Sequence, residues 1–281
     1  MAERIEATVI EPTVIEPKTG WMPVNPSEVW RFRELLYFLA WRDVKVKYRQ
    51  TVLGVIWAIL QPVIAMLIFN TVFGRFARMP SDGAPYPIFV YIGLLPWNYF
   101  ASVLGTSTTS LVAGTNLVTK IYFPRLIMPM SSAIAALIDL FIASAVLAIL
   151  MVYYKVPISP GVLLVPVLIL ITMMNAVGFG IWFSALNVRY RDVQYAIPFL
   201  IQIWLFATPV IYPVSLLGEK YRFLLMLNPM GGVIEAFRPA ILGHMPIPWT
   251  SLAVSTVVGL IVFVGGVYYF KRVERYFADV I

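Results

Sequence analysis

Six apolar runs decide what this chain can fold into. They lie at about Leu53–Phe73, Ile88–Val112, Leu126–Val152, Val162–Leu186, Ala196–Tyr212 and Leu252–Phe270. Each is near the ~20 residues a helix needs to cross ~30 Å of hydrocarbon. Backbone amides in lipid find no water, so such runs fold as helices that satisfy their own N–H and C=O groups. The prediction is an all-α membrane protein with six transmembrane helices. The second is expected to kink at Pro96-Trp97, where the proline ring removes a donor.

Composition agrees and removes several function classes. Hydrophobic residues make up 60% of the chain and charged residues 12%, against roughly 25% charged in a soluble domain. There are no cysteines, which excludes disulfides, thiolate metal sites and thiol nucleophiles. His244 is the single histidine, so neither a histidine metal cluster nor a catalytic triad is expected. No Gly-x-x-x-x-Gly-Lys-Ser/Thr phosphate loop occurs, so ATP is not bound by that route. Of the acids, Asp139 and Glu235 fall clearly inside apolar segments. A proton-driven carrier uses a relay of intramembrane ionisable groups, and these two do not make one. Asp139 reads instead as a polar contact to a neighbouring helix. The pattern suits a pathway-forming protein powered by another subunit better than an enzyme.

Three segments lie outside the spans. Residues 1–26 are polar and proline-rich and are expected to be an unstructured cytoplasmic tail. Residues 27–50 carry apolar residues at helical spacing among Arg31, Arg33, Arg42, Lys45, Lys47 and Arg49. That is too charged to span and fits an amphipathic helix lying in the membrane interface. Residues 51–281 form the transmembrane unit. Within it, Ser215–Leu227 and Met230–Leu242 are apolar but about half the spanning length, and Asn228-Pro229 separates them. Runs of that length read as two short re-entrant helices between the fifth and sixth spans. With the N-terminus inside, fifteen of the 21 lysines and arginines fall on cytoplasmic segments. The positive-inside rule therefore puts both chain ends in the cytoplasm.

Four runs carry a resemblance. The first is Arg42-Asp43-Val44-Lys45-Val46-Lys47-Tyr48-Arg49-Gln50-Thr51-Val52-Leu53-Gly54, followed by Trp57-Ala58-Ile59-Leu60-Gln61-Pro62. The second is Thr119-Lys120-Ile121-Tyr122-Phe123-Pro124-Arg125. The third is Asn187-Val188-Arg189-Tyr190-Arg191-Asp192-Val193. The fourth is Thr208-Pro209-Val210-Ile211-Tyr212 with Leu227-Asn228-Pro229-Met230. In this order and spacing the chain, from about Val29 onward, resembles the type-2 ABC permeases that export polysaccharides and polyol phosphates (O-antigen, capsule or teichoic acid). The resemblance implies a homodimer of this chain and two copies of a separate ABC ATPase, which binds ATP and Mg. A lipid-linked glycan would pass outward through a channel lined by the spans, in the cytoplasmic membrane of a bacterium. An exporter of drugs or small lipids is a second reading, and a membrane-embedded glycan transferase a third.

The resemblance also suggests roles for residues. The turn Asn116–Arg125 would seat in the ATPase, with Tyr122 and Phe123 as hydrophobic anchors and Lys120 and Arg125 as ionic contacts. Arg189 and Arg191 form a second turn on the same side. Arg42, Lys45, Lys47 and Arg49 are candidates to meet lipid phosphates. Aromatic rings pack against the C–H faces of sugars, and Trp57, Phe69, Tyr91 and Trp204 are expected to line the path. Glu235 and Arg238, one helical turn apart, would pair beside Asn228 as an outer gate. Gly178, Gly180 and Ser184 would permit close helix packing. No metal ligand and no catalytic residue is expected in this chain.

Overall fold

A computed structural model describes residues 26–49, 54–243 and 245–277. The tail, the Gln50–Leu53 approach to the first span, and His244 lie outside the described residues, apart from Pro26. Eleven α-helices are seen among them. A short α1 (Pro26–Arg31) and α2 (Arg33–Arg49) precede α3 (Gly54–Phe69), which a π-helical turn extends to Phe76. Then come α4 (Tyr86–Ala113), α5 (Thr115–Lys120), α6 (Ile127–Tyr153) and α7 (Val165–Arg189). The chain ends with α8 (Val193–Ala207), α9 (Glu219–Met226), α10 (Gly231–Leu242) and α11 (Trp249–Glu274).

Five helical stretches are long and apolar enough to cross a membrane: Gly54–Phe76, Tyr86–Ala113, Ile127–Tyr153, Pro160–Arg189 and Trp249–Glu274. They match five of the six expected spans to within a few residues. The fifth run differs. Its helix α8 has 15 residues, or ~22 Å at 1.5 Å per residue, short of the hydrocarbon thickness. It ends because Thr208 precedes Pro209, which disfavours helical backbone at the residue before it. Thr208 is accordingly extended (φ −111°, ψ 142°). Helix α4 is unbroken through Pro96.

The bundle is organised around α4 and α7. Helix α4 packs against α6 and α7, and α7 packs in turn against α11. Small residues set these distances. A Cβ on Gly178 would lie 2.8 Å from the Phe263 Cα of α11, and one on Gly180 would lie 2.7 Å from the Ser107 Cβ of α4. The expected close packing at Gly178 and Gly180 is therefore present, and Ser184 is fully buried beside them. By contrast α3 is covered little, with Val55, Ile56, Trp57, Leu67 and Ile68 all more than half exposed.

Helix α10 is almost entirely buried, between α4, α7, α11 and the 3-10 turn Pro160–Leu164. It stops at Gly243, whose left-handed φ of 71° no β-carbon favours. The two half-length runs thus differ in kind. Helix α10 belongs to the core of one end of the bundle, while α9 lies on its surface with Tyr221, Phe223 and Leu224 exposed.

Candidate functional site

The end of the bundle where α4, α7 and α11 finish and α6 begins is basic. Its most prominent feature is the turn after α5. Lys120, Ile121 and Tyr122 are exposed, Tyr122 at 70%. The next residues turn inward. Phe123 is 6% exposed, so it packs in the core and is not a surface anchor. Arg125 is also engaged within the chain. Its backbone N–H donates to Glu274 Oε1 at 3.2 Å, its guanidinium donates to the Glu274 carbonyl, and it lies 5.8 Å from the Phe277 ring centre. The expected ionic contact from Arg125 is therefore spent on the end of α11. Arg189 and Arg191 remain exposed, with Arg189 beside the Tyr190 ring at 5.3 Å. Buried Asn187 holds their turn: Nδ2 donates to the Thr108 carbonyl at 3.1 Å and Oδ1 accepts from the Gln194 N–H at 3.1 Å.

Helix α2 lies against α6. It buries Leu39 and Ala40 and exposes Tyr37, Phe38 and Trp41. Arg42 pairs with Asp43 at 2.8 Å, Lys45 sits over the Trp41 ring at 5.6 Å, and Arg49 is exposed. Lys47 is not free for a headgroup: its Nζ lies 2.6 Å from Asp139 Oδ2 on α6. The Tyr48 hydroxyl donates to the other oxygen of the same carboxylate. Burial, then the bond to Asp139, hold the Tyr48 phenol well above its ordinary pKa. Asp139 is thus the interhelix polar contact expected of it. Lys47 is half exposed, so the ion pair is worth about 0.2–1 kcal/mol. The tyrosine bond to an ionised acceptor is worth about 1.5–3 kcal/mol. Asp139→Asn should therefore lower stability by about 1–2 kcal/mol. In double-mutant cycles on detergent melting curves, Tyr48→Phe should couple to it more strongly than Lys47→Met. The reverse ranking would assign the contact to the ion pair.

At the opposite end, side chains from three helices converge on the bend between α9 and α10. Asn175 of α7 donates from Nδ2 to the Pro229 carbonyl at 2.8 Å. Ser255 of α11 accepts from the Gly232 N–H at 2.9 Å and lies 2.9 Å from the Asn228 carbonyl as donor. Asn228 itself reaches α8. Its Oδ1 accepts from Trp204 Nε1 at 3.1 Å and from the Met230 N–H at 3.1 Å, and its Nδ2 donates to Thr208 Oγ1 at 2.9 Å. Two residues chosen for separate reasons, Trp204 and Asn228, are therefore one unit. An open cleft of about 490 Å³ lies beside them, lined in part by Tyr212 and Tyr221.

The pair expected between Glu235 and Arg238 does not form. Arg238 is 2% exposed. Its Nη2 donates to the carbonyls of Pro209 at 2.7 Å and Val210 at 2.8 Å, and the guanidinium stacks 3.6 Å from the Phe89 ring centre. Glu235 turns the other way, to Arg222 of α9 at 3.8 Å. Helical spacing permits the pair, but the free carbonyls left by the break at Pro209 are better placed for a buried guanidinium.

The aromatic candidates separate likewise. Trp57 is 56% exposed, while Phe69 and Trp204 are half-buried. Trp204 packs edge-on against Phe100 at 5.1 Å and Phe179 at 4.9 Å. Tyr91 is fully buried, and its hydroxyl donates to the Ala143 carbonyl at 3.1 Å. It faces no surface and so lines no path. Asn175, Asn187 and Ser255, which tie helices together here, were not expected to do so from the sequence. Their signal was present, because an amide or hydroxyl inside an apolar span must find an interhelical partner. Among the described residues no cluster of three or more His, Cys, Asp or Glu is arranged to hold a metal.

The model of the family described as "ABC-2 type transporter" matches residues 34–242. An O-antigen export system permease protein, RfbA of Myxococcus xanthus, is 30% identical over 220 residues, covering 77% of this chain and 84% of the relative. The protein of the same name from Klebsiella pneumoniae is 26% identical over 249 residues, covering 88% and 95%. The polysialic acid transport protein KpsM of Escherichia coli is 27% identical over 244 residues, covering 83% and 91%. With a family model spanning most of the bundle, from α2 to the last turn of α10, this chain belongs to the ABC-2 type transporter family.

Proposed function

We propose that this chain is the membrane-spanning permease subunit of an ABC exporter that moves a lipid-linked polysaccharide of O-antigen type across the cytoplasmic membrane of a bacterium. ATP and Mg would be bound by a separate ATPase, and this subunit performs transport rather than catalysis. The observation that carries the reading is the exposed turn Lys120-Ile121-Tyr122, a basic and aromatic projection at one end of a bundle whose relatives are polysaccharide permeases. In this reading α8 with the segment through Tyr212 completes the fifth of six crossings, both ends of the chain are cytoplasmic, and the α9–α10 pair forms the outer seal.

Two copies of the chain would enclose the path. Gln61 on α3 and Gln202 on α8 are exposed among apolar neighbours. Lipid does not solvate an amide, so such groups face water or protein. Thr106 on α4, a helix that packs against both α3 and α8, is also exposed. This supports a wet path bordered by α3, α4 and α8, with Trp57, Phe69 and Trp204 as rings for sugar faces. The absence of native cysteines makes the test direct. An Ile121→Cys permease coexpressed with its ATPase should cross-link to single cysteines in an ATPase surface groove, because Ile121 is exposed beside Tyr122. Lys120→Glu with Tyr122→Ala should lower cell-surface glycan at least tenfold while the permease stays in the membrane. Full export by an intact complex of that variant would refute the seating.

A further inference from the structure

We propose that Glu274 and the last turn of α11 position the ATPase-facing turn and tie it mechanically to the outer bend. The proposal rests on the reading of Lys120–Tyr122 as the ATPase contact and adds a residue and a route to it. Immediately after the exposed Tyr122, the chain is fixed by Glu274 from both of its ends. The carboxylate accepts the Arg125 backbone N–H and the carbonyl accepts the Arg125 guanidinium. A guanidinium at the final carbonyls of a helix is also where the helix dipole favours a cation.

The contact is built rather than incidental. Glu274 is 18% exposed and Lys271, 13% exposed, holds its second oxygen at 2.9 Å. Phe277 lies under the Arg125 guanidinium, is fully buried, and packs edge-on against buried Phe270 at 5.2 Å. The turn therefore has a carboxylate clasp from the last residue of α11 and an aromatic floor from Phe277, three residues beyond it. At its other end, α11 holds the bend between α9 and α10 through Ser255. One helix of 26 residues, ~39 Å long, so joins the two places where an exporter needs coordinated motion. A displacement of the turn is delivered to the outer bend without passing through a loop.

The test uses the assembled permease–ATPase complex. Three readouts are taken: cross-linking from Ile121→Cys, the ATPase rate of the purified complex, and cell-surface glycan at matched complex levels. Glu274→Ala should leave cross-linking within twofold of the parent and lower glycan export per ATP hydrolysed by tenfold or more. Glu274→Gln, whose amide oxygen still accepts the Arg125 N–H, should restore export to within threefold. If Glu274→Ala does not accumulate, Arg125→Lys is read in the same way and should lower the export-to-ATP ratio at least threefold. An unchanged ratio in the assembled Ala or Lys variant overturns the proposal, as does a Gln variant no better than Ala. Loss of cross-linking in the parent itself would instead overturn the seating of the turn, and this inference with it.

Discussion

Gly232→Ala should cost this protein its folded state, whereas Gly105→Ala should not. A Cβ at Gly232 would lie 2.2 Å from the Ser251 carbonyl oxygen, 2.5 Å from its carbon and 2.7 Å from Ser255 Oγ. Two of those three atoms are backbone, so no rotamer change relieves the overlap. Helix α10 would have to back away from α11, and the Gly232 N–H would lose Ser255, its 2.9 Å acceptor. Overpacking alone costs about 1–3 kcal/mol, and a stranded buried donor adds about 1–3 kcal/mol. The sum approaches the 5–15 kcal/mol stability of a typical domain. Gly105, inside α4, has nothing within 4 Å of its Cβ position, so alanine there should be neutral or should stabilise by about 0.5–1 kcal/mol. Membrane-inserted yield and detergent melting of the two variants check this. A Gly232→Ala protein that melts with the parent would mean that α10 and α11 are farther apart than described.

That contrast marks where the chain's linear pattern was informative. Hydropathy located five long helices to within a few residues, because lipid asks only for length and apolarity. The proline in Thr208-Pro209 also held the clue that the fifth helix stops early, yet apolar residues through Tyr212 concealed it. The half-length runs around Asn228-Pro229 were visible as lengths. That α10 is buried on nearly every side was not, since burial depends on which helices return to cover it. Glu235 and Arg238 had the spacing of a pair, but the acceptors that hold Arg238 are backbone carbonyls, which carry no side-chain signal.

The basic end shows the same division. The turn around Lys120 was evident from charge and its position between spans. The reversal at Phe123, which sends Tyr122 outward and Arg125 back to Glu274, is set by residues 149 positions apart in the chain. Asp139 needed a partner in any fold, but that Tyr48 as well as Lys47 supplies it depends on how α2 lies against α6.

Asn228→Ala should destabilise the end of the bundle opposite the basic turn. One amide there serves Trp204, Thr208 and Met230 at 2.9–3.1 Å. Alanine leaves the indole N–H of Trp204 and the N–H of Met230, just before α10, without their acceptor. At about 1 kcal/mol for each bond and somewhat more for a stranded donor, the loss should be about 2–4 kcal/mol. In the proposed function the consequence reaches beyond stability, because Trp204 would line the path and Asn228 holds its indole. Trp204→Phe removes the donor but keeps an aromatic ring against Phe100 and Phe179, so it should cost less, and the two substitutions should be less than additive by about 1 kcal/mol. Export should fall more for Asn228→Ala than for Trp204→Phe at equal membrane levels, since a freed indole turns out of register while the phenylalanine keeps its place. Simple additivity in melting, with export unchanged in Asn228→Ala, would separate the bend between α9 and α10 from the glycan path and leave Asn228 a structural residue only.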